Sequence, residues 1–167
     1  QQYVYLANFD WYNYLYDDSR PTWDHNINIK GGTKALSYMV SGRYYQQKGV
    51  NRIEPDMFKS YNFRVKLQAE IKPWLTIASN TKFFQSNYKY YGYEDEYNNF
   101  RKPTLHALAS FVPVNPDGTA VSHTSMTQSS THYLMDGYSA MMQKGKSFGN
   151  KKTQEITTTF EATFKLH

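Results

Sequence analysis

Between positions 59 and 72 apolar and polar side chains alternate without a break. Tyr61, Phe63, Val65, Leu67, Ala69 and Ile71 are interleaved with Ser60, Asn62, Arg64, Lys66, Gln68, Glu70 and Lys72. A period of two marks a β-strand, whose successive side chains point to opposite faces of the sheet. The run lasts about twice as long as a typical soluble strand of roughly 5 to 6 residues. One face stays apolar throughout and the other stays polar or charged, as in strands that cross a bilayer.

The same pattern returns near the C-terminus, where Ile156, Thr158, Phe160, Ala162, Phe164 and Leu166 alternate with Glu155, Thr157, Thr159, Glu161, Thr163 and Lys165. Leu36, Tyr38, Val40 and Tyr44 share a face opposite Ser37, Ser41 and Arg43, and Leu75, Ile77, Thr81 and Phe83 mark a further strand. The expected strands lie near 25–30, 34–47, 59–72, 74–87 and 151–166. Their connections are of two kinds. Gly31-Gly32-Thr33 and Lys72-Pro73 are tight, with Gly supplying permissive backbone angles and Pro interrupting the ladder. Positions 47–57 and 88–150 form longer connections, the last very long. Short and long connections alternate, so they fall at opposite ends of the strands, as periplasmic turns and extracellular loops do in outer-membrane barrels. The expected fold is all-β, an antiparallel meander forming part of a large transmembrane β-barrel. Five strands are too few to close such a barrel, so the chain is expected to be a segment of a longer parent.

Composition agrees with this expectation. Of the 167 residues, 17% are aromatic and 16 are Tyr, while mean hydropathy is negative. The rings are not accompanied by the aliphatic residues that a compact soluble core requires. Tyr joins an apolar ring to a polar tip, which suits a surface meeting both lipid and water, and it favours strands. The net charge is +5, but the Lys and Arg residues are scattered and form no arginine-rich run or nucleic-acid motif, so no nucleic-acid partner is expected. Cysteine is absent, which excludes disulfides and thiolate metal sites. No run of about 18 apolar residues occurs, which excludes a transmembrane helix. The start, Gln1-Gln2-Tyr3-Val4, has neither a basic nor an apolar leader region, so any signal peptide of the parent is expected upstream.

The run His25-Asn26-Ile27-Asn28-Ile29-Lys30-Gly31-Gly32-Thr33, continuing through Ser37-Tyr38-Met39-Val40-Ser41-Gly42-Arg43-Tyr44-Tyr45-Gln46-Gln47-Lys48-Gly49-Val50, resembles the early barrel of SusC-like TonB-dependent transporters. Tyr61-Asn62-Phe63-Arg64-Val65 and Lys72-Pro73-Trp74-Leu75-Thr76-Ile77 resemble that family's next strand and its turn. Asn115-Pro116-Asp117-Gly118 is similar to a loop turn of such transporters, although this turn is common elsewhere. The resemblance is densest over 25–80. It implies a barrel of about twenty-two strands around an N-terminal plug, in the outer membrane of a Gram-negative bacterium of the Bacteroidetes. It further implies a SusD-like surface lipoprotein as partner, TonB acting through a plug that this chain does not contain, and an oligosaccharide or peptide as substrate. No cofactor is implied.

The candidate residues follow from that reading. Arg64, Lys66, Gln68 and Glu70 are expected to face the lumen, in contact with water, the plug or the substrate, and plug packing is the simpler role. Phe63, Val65, Leu67, Ile71, Phe160 and Phe164 are expected to face the lipid bilayer. Tyr88, Tyr90, Tyr91, Tyr93 and Tyr97, interleaved with Glu94, Asp95 and Glu96, have two readings: an aromatic girdle or loop-packing surface, which is favoured, and a surface for stacking a sugar or binding a partner. Trp74 reads as a girdle residue beside a short turn. His25, His106, His123, His132 and His167 lack the spacing of a metal site. Adjacent acids such as Glu94 to Glu96 rarely give the separation that glycoside hydrolysis needs, and they lack the spaced oxygen ligands of a calcium loop. No nucleophile elbow, P-loop or dinucleotide fingerprint is present, and an enzyme is not expected. The rival reading is a soluble all-β carbohydrate-binding module, which requires short strands in two packed sheets. A porin-like passive channel is a third possibility, separated from the transporter by whether the parent has a plug.

Overall fold

In a computed structural model of the chain, residues 8–92, 109, 112–114, 116–118 and 148–165 are described. Among the described residues the chain is all-β apart from one short helix. Helix α1 spans Trp11–Leu15, followed by β1 (Thr22–Gly32), β2 (Leu36–Lys48), β3 (Met57–Lys72), β4 (Leu75–Tyr91) and β5 (Phe148–Phe164). The strands form one sheet in the order β1-β2-β3-β4-β5, an antiparallel meander that is not closed into a barrel. No helix among the described residues is long and apolar enough to cross a membrane, which says nothing of strands.

The strands run 11, 13, 16, 17 and 17 residues; β1 extends beyond both expected limits and each of the other four beyond one of them. The expected long loop is correspondingly shorter, because Tyr88 to Tyr91 continue β4 and Phe148 to Asn150 begin β5. Gln85, Asn87 and Lys89 occupy the positions that carry apolar side chains earlier in β4, so the period-two signal fades while the backbone ladder continues. The expected turn at Pro116-Asp117-Gly118 is present, and Gly118 takes φ +82°, a left-handed conformation open to glycine. A short helix expected from the sequence over 104–111 lies, apart from Ala109, outside the described residues.

Two compact units can be distinguished. The first takes 8–20, 48–57 and the described residues of 89–150. Its centre is an aromatic nest in which Trp11, Leu15 and Tyr16 are buried and Phe9, Tyr14 and Val50 pack around them. The spacing of Trp11 and Leu15, one helical turn apart, puts both on one side of α1. The Asp10 side chain accepts from the Asn13 backbone N–H at 3.0 Å and caps the helix. Phe9, Trp11 and Tyr14 meet edge to face at 5.2, 5.4 and 6.0 Å between ring centroids. Asp17 closes this unit by pairing with Arg52 at 3.1 Å and Lys48 at 3.5 Å.

The second unit takes 21–47, 58–88 and 151–165, the body of the sheet. In the β1–β2 hairpin His25 stands opposite Tyr44, Ile27 opposite Gly42, Ile29 opposite Val40 and Gly31 opposite Tyr38. Between β2 and β3, the Glu70 N–H donates to the Ala35 carbonyl at 2.8 Å, and Tyr44 and Tyr61 touch at the same offset. Between β4 and β5, Lys165 N–H to Trp74 carbonyl, Thr158 to Thr81 and Gln154 to Gln85 all share one offset. The ladder therefore carries no net slip between those points, and each face keeps its side chains along the strands.

Candidate functional site

Because the register is kept, the sheet sorts its side chains by polarity. On one face lie Ile27, Ile29, Tyr61, Phe63, Val65, Leu67, Ile71, Ile77, Ile156, Phe160 and Phe164, and the large ones among them are exposed. Ile156 and Phe160 are 72% and 76% exposed, whereas no large apolar side chain of β1 to β5 is counted among the buried core. The usual arrangement of a soluble sheet, apolar side inward, is thus not found among the described residues. Soluble monomers rarely leave a contiguous apolar patch of more than roughly a few hundred Å² uncovered. At the ends of this face the side chains become aromatic. His25, Tyr44 and Tyr61 form a row with centroids 6.3 and 5.2 Å apart, and Trp74 stacks on Phe164 at 6.2 Å. His25 is thus an exposed ring in an aromatic row.

The opposite face is polar, and it is hollowed into two grooves. One, of about 400 Å³, is lined by Asn26, Asn28, Arg43, Asn62, Arg64, Lys82 and Glu155 among others. The other, of about 690 Å³, is lined by Lys30, Ser37, Lys66, Gln68, Asn80, Thr159 and Glu161 among others. Arg43 grips Asp24 with two hydrogen bonds, Nε to Oδ1 at 2.9 Å and Nη2 to Oδ2 at 2.6 Å, and its guanidinium lies 5.5 Å from the centre of the Tyr45 ring. Asn26 Nδ2 donates to the same Asp24 at 3.2 Å. Arg64 is held differently: its Nε donates to Asn80 Oδ1 at 2.9 Å, which orients the guanidinium and leaves its terminal nitrogens available.

Arg64, Lys66, Gln68 and Glu70 stand at alternate positions of β3 on this polar side, and Arg64, Lys66 and Gln68 line the two grooves. Phe63, Val65, Leu67 and Ile71 stand at the intervening positions, with Phe160 and Phe164 on the same side of β5. The aromatic cluster is described only in its first three tyrosines. Tyr88, Tyr90 and Tyr91 are strand residues of β4. The Tyr90 ring lies over Gly149, where a Cβ would meet it. Lys89 Nζ lies 5.0 and 5.5 Å from the centres of the Tyr91 and Phe148 rings. These contacts fit packing along a strand end. Tyr93 and Tyr97, with Glu94 to Glu96 and His106, His123, His132 and His167, lie outside the described residues.

Among the described residues no three His, Cys, Asp or Glu side chains come together to hold a metal. What the sequence reading did not find is the nest around α1. Its available signal was Asp10 followed three residues later by Asn13, then Trp11 and Leu15 at helical spacing. Compared with known proteins, the chain matches no family model, no curated protein and no solved structure.

Proposed function

We propose that the chain is wall from a SusC-like TonB-dependent outer-membrane transporter that imports an oligosaccharide or peptide together with a SusD-like surface lipoprotein. The observation that carries the reading is the inverted sheet, apolar and uncovered on one face, polar and hollowed on the other. Lipid against the first face relieves the exposure of Phe63, Leu67, Ile71, Phe160 and Phe164. Water, plug or substrate against the second suits Arg64, Lys66, Gln68 and Glu70. Strands of 11 to 17 residues match or exceed the roughly 9 to 11 that span a bilayer when tilted. The two short turns, after β1 and after β3, and the longer connections after β2 and β4 fit opposite sides of a membrane. The aromatic rows at Tyr44 and Trp74 fit its two interfaces. The remaining strands, the plug and the TonB contact belong to other parts of the parent.

Long strands in a single sheet weigh against the soluble carbohydrate-binding module, which needs two short-stranded sheets packed together. The test uses the absence of cysteine. Single Cys residues placed in the parent from 63 to 71 carry a nitroxide, and collision with dissolved oxygen and with a water-soluble nickel chelate is measured in vesicles. Oxygen is expected to reach 63, 65, 67, 69 and 71, and nickel 64, 66, 68 and 70. Uniform access for nickel removes the barrel. Uptake of labelled oligosaccharides or peptides that persists without TonB identifies a passive channel instead.

A further inference from the structure

We propose that the apolar face, at its end next to the long connections, holds the phosphate of a membrane lipid, gripped by Lys59 and Lys152. The inference rests on the barrel reading, in which this face meets lipid, and it adds the headgroup chemistry and the place. Charge is divided unevenly between the two sides of the sheet. The acids of β1 to β5 are Asp24, Glu70, Glu155 and Glu161, and all four stand on the polar side. The apolar side carries Lys48, Lys59, Lys89 and Lys152 and no acid, and each lysine lies near the strand end that leads to a long connection. At the short-turn end the same side is uncharged, with Leu36, Ile71, Leu75 and Phe164. Lys48 is already paired with Asp17 at 3.5 Å, and Lys89 lies against the Tyr91 and Phe148 rings. Lys59 and Lys152 form no ion pair among the described residues.

Register brings these two lysines to one level. Phe58 meets Tyr45 on the polar side at 6.1 Å between ring centroids, so the next residue, Lys59, stands on the apolar side. Lys152 lies two residues beyond Gln154, which donates to Gln85 at 2.8 Å, and the Tyr90 ring over Gly149 keeps that offset. Lys152 is therefore level with Asn87 of β4. Phe63 and Phe83 line one groove and Leu67 and Ser79 the other, and the offset these pairs share brings Lys59 level with Asn87 as well. The two lysines thus stand two strands apart, roughly 10 Å, and their flexible four-carbon stems let both ammonium groups reach one phosphate. Towards the middle of the sheet the same side presents Tyr61 and Gln154, then Phe63 and Ile156. An occupant meets cations, then a ring and an amide, then hydrocarbon, which is the order of a phosphate joined to acyl chains. A free anion gains nothing from Phe63 or Ile156 and finds no enclosing pocket. An acidic polypeptide laid along this face would carry backbone groups into hydrocarbon without partners. Lysines at the rim of a lipid-facing surface extend towards the headgroups, where anionic lipid attracts them.

The test is native mass spectrometry of the full-length parent in detergent, titrated with phosphatidic acid and with diacylglycerol of the same chains. Phosphatidic acid is expected to be retained more tightly, and Lys59→Gln and Lys152→Gln each to weaken it by roughly fivefold. Lys59→Arg and Lys152→Arg keep the charge and are expected to keep the lipid. Lys30→Gln and Lys82→Gln, on the polar side, are expected to leave retention unchanged. Equal retention of the two lipids overturns the proposal, and so does an equal loss in the polar-side variants. Displacement by inorganic phosphate beyond that by chloride at the same ionic strength also overturns it, because the site then belongs to a free anion. A nitroxide at Leu67 or Phe160 of the parent in vesicles separates this proposal from the reading beneath it. Lipid exposure there without preference for phosphatidic acid leaves the barrel standing and removes the headgroup site, whereas water exposure removes the barrel itself.

Discussion

At the scale of single residues, two tyrosines cover two glycines across the sheet. Gly31 faces Tyr38 in the β1–β2 register, and a Cβ on Gly31 would lie 2.5 Å from the Tyr38 hydroxyl oxygen. The Tyr90 ring occupies the corresponding place over Gly149. A glycine leaves a gap in a pleated surface that an opposing ring fills, a device that stabilises strands otherwise weakened by glycine. Gly31→Ala is therefore expected to destabilise the protein by about 1 kcal/mol, read from its urea midpoint, and to cost less in a Tyr38→Ala background. Equal costs in both backgrounds would show that the ring does not sense the glycine. Asp10 offers a pH-dependent example. The Asn13 backbone N–H hydrogen-bonded to its carboxylate holds its pKa below the ordinary carboxylate range. The folded state thus favours the charged form. The cap's contribution is complete above the ordinary carboxylate range and is lost as pH falls through the lowered value. Trp11 fluorescence is expected to report loosening of α1 in strong acid, and Asp10→Asn to remove that acid response.

At the scale of elements, the alternation in β3 was legible because each residue is sorted separately by polarity, so Phe63 to Ile71 record their faces in sequence order. The ends of β4 and β5 were not legible. Past Thr81 and Phe83 the same side of β4 carries Gln85, Asn87 and Lys89, and a strand without polarity contrast leaves no periodic mark although its backbone still pairs. For this reason Tyr88, Tyr90 and Tyr91, expected in the long loop, belong to the strand. A depth-dependent penalty is expected on the apolar side. In the proposed barrel, Leu67→Arg should cost about 2–4 kcal/mol if it lies near the bilayer midplane, whereas Gln68→Arg, one residue along the same strand, should cost little. Urea titration in vesicles separates the two, and similar costs at both positions would contradict opposite surroundings for the two faces.

At the scale of the whole molecule, β1 and β5 are the outer members of a sheet that does not close. An open edge presents unpaired N–H and C=O groups, which hydrocarbon does not satisfy. In the proposed barrel, neighbouring strands of the parent cover both edges. The segment expressed by itself is therefore expected not to form the compact, heat-modifiable band on a detergent gel that the parent forms. A monodisperse, detergent-free monomer in sedimentation would instead favour the soluble β-module, with its apolar side chains buried in some other arrangement.

What the amino-acid sequence determined by itself is local: that the chain is made of strands, where the tight turns fall, and which side chains share a face. Each of these depends on a residue and its near neighbours, through backbone preference and the preference of each side chain for apolar or aqueous surroundings. The tertiary structure decided what stands beside what. Register between strands brings Asp24 to Arg43, Arg64 to Asn80 and Tyr90 to Gly149. The packing of 8–20 with 48–57 builds the nest of Trp11, Leu15 and Val50. These partners are separated by many residues, and their meeting depends on the ladder hydrogen bonds and ring contacts that set each strand's offset. No pattern within a single strand encodes that offset, so Lys66 and Lys82 could be read as polar positions in the sequence but placed on one hollowed face only in the folded sheet.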